Sequence, residues 1–228
     1  MKQHKNIHDK SIIILLSLAL FIILIFGSLN FMIFNKDFYY REYTKNNVYS
    51  SLPADVDAKN VTDNIMKYFR NTEDLKYFTA DETSHMQDVK NLIRLMQFIY
   101  YGASAASIIL FIYCYRRFKE DKFEFIKVLA KSLLYSSIAA IAVLLVVFLM
   151  SVFSFDFLFI GFHHIFFPQG NWMFNPDSLL ITLFPQQFFF DIALRIFIYA
   201  MFQAIIFFGI GFWMNKQLKI VEKHSPFR

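Results

Sequence analysis

Glu82, His85 and Asp88, together with a second pair, His163 and His164, are the side chains in this sequence best suited to proton-transfer chemistry. Residues three apart share a helix face, so one helix would set both carboxylates beside the His85 imidazole. Carboxylates so placed would orient the ring and raise its pKa. Histidine is also the commonest general acid or base near neutral pH. His163 and His164 stand inside the run Phe162-His163-His164-Ile165-Phe166-Phe167, an unusual setting for imidazoles. Blander readings compete. A single His on a helix is more often a surface or satisfied core residue than a site residue. His163 or His164 could turn a polar tip toward lipid headgroups, and the aromatic run could be packing alone. Glu82-x-x-His85 with a distant His has ligand types that suit zinc, but the spacing is a weak signal.

Several other chemistries lack their residues. There is no Gly-x-Ser-x-Gly nucleophile elbow, and the six Gly form no phosphate-cradling loop. The one cysteine, Cys114, cannot form an internal disulfide and leaves the redox compartment open. It falls near the far end of its apolar run from His85, so a thioester intermediate there is not expected. These absences favour acid–base catalysis without a covalent serine or cysteine step.

The elements that must position the histidines are set by hydropathy. The chain has 228 residues, 57% hydrophobic and only 18% charged, with 31 Phe. Soluble domains run nearer 45–50% apolar and about 25% charged. Disordered, collagen-like and disulfide-scaffold classes are excluded, and the expected class is an all-α polytopic membrane protein. A bilayer core of roughly 30 Å needs about 20 apolar helical residues, and backbone groups in hydrocarbon must pair internally. Four runs qualify, at about 11–35, 95–115, 132–155 and 190–215, the last uncharged from 196. A fifth run, 157–176, carries Gly161, Pro168, Gly170 and Pro176 and is read as an interfacial or cap segment. The first run is too long for a signal peptide's apolar core and lacks a small-x-small cleavage site; it is expected to stay as an anchor. The whole chain reads as a single membrane domain of four transmembrane helices. Two outer segments, about 36–94 and 156–189, form an extracytoplasmic cap, and 116–131 is an inner loop.

Charge sets the orientation. Residues 1–10, 116–131 and 216–228 carry +2, +3 and +3, whereas 36–90 and 156–195 carry −2 each. Basic flanks favour the cytoplasmic side, so both termini are expected inside. The basicity of that face suits anionic lipid and gives no reason to invoke nucleic acid. No repeats or paired broken helices of the transporter kind occur.

Within the first outer segment, Ile65, Met66 and Phe69 have helical spacing over 62–70. Thr79-Ala-Asp-Glu82 fits a capping box opening a helix that runs through His85 into the second apolar run. His85 would lie about ten residues, on the order of 15 Å, outside Leu95. Pro185 suits the first turn of another helix, on which Asp191 and Arg195 form an i, i+4 pair expected to be solvated and weak.

Two motif blocks resemble the lipoprotein intramolecular transacylase family of Gram-positive bacteria. One is His85-Met-Gln-Asp88-Val-Lys90. The other is Phe162-His163-His164-Ile165-Phe166-Phe167, followed by Asn171-Trp172, Asp177, Leu180-Ile181, Phe184-Pro185 and Phe188-Phe189. The resemblance covers about residues 11–215, and the two blocks together are fairly specific. It departs in one place: the family pattern has a single His after the Phe. The register assigns that His to His163, with His164 as the alternative.

The resemblance implies an activity and a site. The substrate would be a diacylglyceryl-modified lipoprotein held in the membrane lipid. Its sn-2 acyl chain would move to the α-amino group of its own N-terminal Cys, leaving a lyso-form lipoprotein. His85 and His163 would be the catalytic pair, their acid and base roles unassigned, with no metal or other cofactor. Glu82, Asp88 and His164 are possible supporting residues, and Asn171, Trp172 and Tyr40 candidates for holding the carbonyl or headgroup. The Phe excess concentrates at 153–167 and 184–190, which suggests an aromatic-lined substrate pocket including Phe162, Phe166, Phe167 and Phe184. Two readings stand against this one: a zinc-dependent membrane hydrolase built on the same histidines, and a non-enzymatic sensor or assembly protein. Oligomeric state has no signal in the sequence.

Overall fold

The computed structural model describes residues 2–224, with side chains from residue 9 onward. The side chains of Lys2 and Lys5, and residues 225–228, which belong to the terminal basic flanks, lie outside the described set. Eight helices follow one another: α1 (Lys2–Ile33), α2 (Lys36–Lys45), α3 (Val48–Ser51), α4 (Ala58–Phe69), α5 (Ala80–Arg117), α6 (Lys122–Phe166), α7 (Leu179–Leu183) and α8 (Gln186–His224). No strand occurs among the described residues. Four segments are long and apolar enough to cross a membrane: Asp9–Ile33 of α1, and α5, α6 and α8. Their apolar stretches expose Ile108, Ile109, Val146 and Phe202 among many others, a surface that only lipid would satisfy. The 38 residues of α5 make a rod of about 57 Å, against a hydrocarbon core of roughly 30 Å. The helix therefore extends well beyond the apolar run 95–115, and that extension carries His85.

Two compact units form, one from residues 1–28, 98–147 and 197–228, the other from 29–97 and 148–196. In the first unit Ile12, Ile13, Cys114, Phe118 and Val128 make one buried cluster, and Leu24, Ala140 and Ala204 another. Small residues let helices approach closely where lipid removes any hydrophobic drive to associate. Gly211 shows this most sharply: a Cβ there would lie 3.0 Å from both the Ala130 carbonyl oxygen and the Leu134 nitrogen, whereas Gly209 faces open space. Gly211→Ala is expected to destabilise by about 1–3 kcal/mol, because backbone atoms cannot swing aside. Gly209→Ala should leave the melting temperature in detergent nearly unchanged; equal melting of both variants would rule out the close packing.

The second unit holds α2, α3, α4, α7 and the adjoining ends of α5, α6 and α8. The starts of α2, α4 and α7 are capped by side chains: Asn35 accepts from Phe38 N–H, Asp57 from Lys59 N–H, and Ser178 from Ile181 N–H. The helix expected over 62–70 is α4, and Ile65, Met66 and Phe69 are all buried. The capping box forms as expected, with Glu82 N–H donating to Thr79 Oγ1 (3.3 Å) and Thr79 N–H donating to Glu82 Oε2 (2.9 Å). An aromatic core ties α2 to α7 and α8: Phe38, Tyr39 and Tyr43 pack on Phe184 and Phe188 at centroid distances of 5.2–6.4 Å.

Two expectations need correction. The segment 157–176 is helical over its first ten residues, since α6 runs on to Phe166. Residues 157–166 contain no Pro, and every Pro of that run follows, so nothing stops the helix there. The change of course lies instead at Ser154, whose φ of −161° and ψ of 83° break the helical pattern. Asp191 is the second correction. It is buried and pairs with Lys45 (2.5 Å) of α2 and with Gln187 (3.2 Å), not with Arg195. The packing of α2 on α8 brings Lys45 closer than the neighbour one turn away.

Candidate active site

The second unit brings the two histidine motifs together. His85, on α5, and His163, near the end of α6, are both buried, with 6% and 8% of their surfaces exposed. Their rings stack with centroids 6.2 Å apart and planes inclined by 22°. Phe167 closes on both, at 4.8 Å from His85 and 5.6 Å from His163. Phe174 lies 5.7 Å from His85. Phe159 and Trp172 flank His163 at 4.3 and 4.7 Å.

Hydrogen bonds set one tautomer. His163 Nδ1–H donates to the Phe159 carbonyl at 2.7 Å. A carbonyl only accepts, so the proton sits on Nδ1 and the Nε2 lone pair is left available. Asp88 does not bond His85. Its Oδ2 accepts instead from Gln169 Nε2 (2.6 Å) and Asn171 Nδ2 (2.7 Å). The latter amide also reaches Ser84 Oγ at 3.4 Å. Glu82 is equally committed elsewhere. One oxygen accepts from Thr79, and Oε1 accepts from the Leu180 N–H at 2.9 Å, fastening α7 to α5.

The expectation that carboxylates raise the His85 pKa is therefore overturned. Burial pushes His85 down to about 4, and the neighbouring His163 adds to this. Asp88 pulls the other way and loses, because its charge is shared with two amides and the imidazole is desolvated. Burial lowers His163 as well, opposed by its bond to the Phe159 carbonyl. Two positive rings 6.2 Å apart would repel by about 3 kcal/mol at an effective dielectric near 20, which adds to burial in disfavouring the charged pair. The unfolded chain then binds more protons than the native one between about pH 4 and 6.5, and stability falls as pH drops through that window. Melting in detergent should occur at a lower temperature at pH 5 than at pH 7. His85→Gln should flatten that dependence, and an unchanged slope would acquit His85.

The remaining sequence candidates divide. His164 is exposed and meets the edge of Trp172, at 5.5 Å. Phe162 contacts His163 at 5.6 Å, yet Phe162 and Phe166 are largely exposed. Phe184 packs in the α2–α8 aromatic core, and Tyr40 bonds Asp63 (3.3 Å) with Lys59 over its ring. Phe159, Phe174 and Gln169 are additions beyond the sequence candidates. Phe159 stands four residues before His163, a signal readable only once 157–166 is known to be helix. Among the described residues no group of three or more His, Cys, Asp or Glu could hold a metal ion.

The sequence profile of the lipoprotein intramolecular transacylase Lit family matches residues 14–189. The chain belongs to the Lit family. It is thus an integral membrane acyltransferase, a lipoprotein intramolecular transacylase. The fold agrees with that of the Lit lipoprotein intramolecular transacylase of Bacillus cereus. The TM-score is 0.80 at 22% identity, over 94% of this chain and 99% of that one. Solved forms of the Bacillus cereus Lit protein with an H85R and an H85A substitution match at TM-scores of 0.76 and 0.74, each 21% identical over 96% of this chain. They are covered over 97% and 98% of their own lengths. No curated protein matches the chain.

Proposed function

We propose that this Lit-family chain moves the sn-2 acyl chain of a diacylglyceryl lipoprotein onto the α-amino group of the lipoprotein's own N-terminal Cys, with His85 and His163 as the acid–base pair. The observation that carries this reading is the stacking of two buried imidazoles, 6.2 Å apart, among aromatic rings. An α-ammonium group has a pKa of about 7.7–8.0, so roughly a tenth of it is free amine at neutral pH. A neutral imidazole can take a proton as that amine attacks the ester carbonyl, and an imidazole can return one to the departing glyceryl oxygen. Amine and ester belong to one molecule, so no acyl-enzyme is required. The site has to fold the substrate, and such orientation can supply up to roughly 7–11 kcal/mol. The aromatic walls suit acyl chains. The acidic segments 36–90 and 156–195, against basic flanks elsewhere, favour an extracytoplasmic site with both termini cytoplasmic.

The test is mass spectrometry of lipoprotein N-termini from a host lacking this activity, with and without the expressed chain. Conversion of diacylglyceryl Cys to N-acyl, lyso-glyceryl Cys is expected at constant total acyl content. An unchanged profile, or loss of one acyl chain as free fatty acid, overturns the reading.

A further inference from the structure

Four buried side-chain nitrogen or oxygen atoms among the described residues lack a hydrogen-bond partner, and three of them stand together in this site: His85 Nδ1, Asn171 Oδ1 and Trp172 Nε1. Buried polar atoms are paired in the great majority of cases, so such a concentration marks a place where something else supplies the partners. What each atom needs follows from its chemistry. An indole N–H only donates, so Trp172 requires an acceptor. The Asn171 amide is oriented by Asp88: a carboxylate accepts, so the atom 2.7 Å from it must be the amide nitrogen. The opposite atom is then the carbonyl oxygen; it lies on the side of the His85 imidazole, which it favours in the charged form, yet no donor reaches it in hydrogen-bond geometry.

The backbone holds this arrangement in place. Gly170 takes φ +78°, a left-handed conformation that glycine adopts without strain, and its N–H donates to the Phe167 carbonyl at 3.1 Å. Asp88 clamps the turn from α5 through both Gln169 and Asn171. The turn thus delivers one orphan acceptor and one orphan donor, from adjacent residues, beside the stacked histidines. Trp172 stands 4.7 Å from His163, ring to ring.

We propose that Asn171 and Trp172 read the two reacting groups of the substrate: Asn171 Oδ1 accepts a hydrogen bond from the attacking amine, and the Trp172 indole N–H donates to the ester carbonyl oxygen as it becomes negative. This rests on the acyl-transfer reading above. The amine nitrogen forms the new bond to the carbonyl carbon, and the C=O electron pair moves onto oxygen, where the indole N–H stabilises it. The amine proton passes to an imidazole. Collapse then re-forms C=O and breaks the bond to the glyceryl oxygen, which takes the proton from imidazolium. An ester and an amine become an amide and an alcohol, with nothing left over.

The experiment uses the full chain in detergent with a synthetic dipalmitoylglyceryl-cysteinyl peptide. Trp172→Phe keeps an aromatic ring and removes the N–H; kcat should fall about 10²–10³-fold with KM within a few-fold. A full kcat, or a rise in KM alone, overturns the proposal. A second readout does not depend on that variant folding. Trp213 is the only other tryptophan, and a Trp213→Phe chain made with 5-fluorotryptophan has a more acidic indole at position 172 alone. Its kcat should rise, and an unchanged kcat overturns the proposal. His85→Ala, measured alongside, keeps the two readings apart. If it too retains full activity, the acid–base reading fails; if it is null while Trp172→Phe is fully active, only the present inference fails.

Discussion

Replacing either His85 or His163 by Ala should abolish conversion of diacylglyceryl to lyso-form lipoprotein while the chain still folds. Each imidazole is asked to move a proton at a different oxygen or nitrogen of the substrate, and general acid–base groups contribute typically 10²–10⁴-fold each. In the proposed mechanism the two rings, 6.2 Å apart, act as a unit, so the double variant should be little worse than either single one. Folding is expected to survive, because the hydrogen bond His163 makes is to the Phe159 carbonyl, and His85 has only a weak polar contact, with the Asn171 amide. That carbonyl, four residues back on α6, keeps its place in the helix. His164→Ala is the internal control. His164 is exposed and meets the edge of the Trp172 ring, so its loss should be mild. Product at wild-type rate from either His85→Ala or His163→Ala would sink the pair, and a null His164→Ala would shift the register by one. Activity is read by mass spectrometry of the lipoprotein N-terminus, and folding by melting in detergent.

Glu82→Ala should unfold part of the second unit without touching the chemistry. Glu82 is 2% exposed, and its carboxylate accepts from Thr79 N–H, Thr79 Oγ1–H and Leu180 N–H, each at 2.9 Å. Hydrogen bonds to charged groups are worth about 1.5–3 kcal/mol, and a buried N–H left unpaired costs about 1–3. Losing all three should destabilise by about 3–6 kcal/mol, counting the abandoned Leu180 N–H. Limited proteolysis should then cut between α4 and α5 and near α7. Glu82→Gln keeps one accepting oxygen and should retain part of both stability and activity. A Gln variant that is inactive yet melts like the wild type would make Glu82 a chemical group rather than a brace.

The membrane class, the four spanning helices, the capping box at Thr79 and the two histidine motifs were legible in the sequence. These are local properties. Hydropathy over about 20 residues, a Thr and a Glu three apart, or two histidines in an aromatic run each depend on near neighbours along the chain. The continuation of α6 through residue 166 is half legible: Pro168, Gly170 and Pro176 all follow it, and helix breakers act only where they stand, while Gly161 is tolerated inside the helix.

What only the tertiary structure decided was who meets whom. Glu82 and Asp88 share a helix face with His85, and spacing alone made them its partners. Folding engaged Glu82 with Leu180, 98 residues on, and Asp88 with Gln169 and Asn171, more than 80 residues on. A carboxylate bonds the donors packed against it, and those arrive from distant segments. The same holds for Asp191, which met Lys45 of α2. Burial also reversed the direction of the His85 shift, because desolvation depends on the whole surrounding shell and not on the nearest charge in sequence. The sequence by itself determined which residues could do chemistry; packing determined that two of them face each other, buried among aromatic rings, and that Asn171 and Trp172 stand beside them with atoms unpaired.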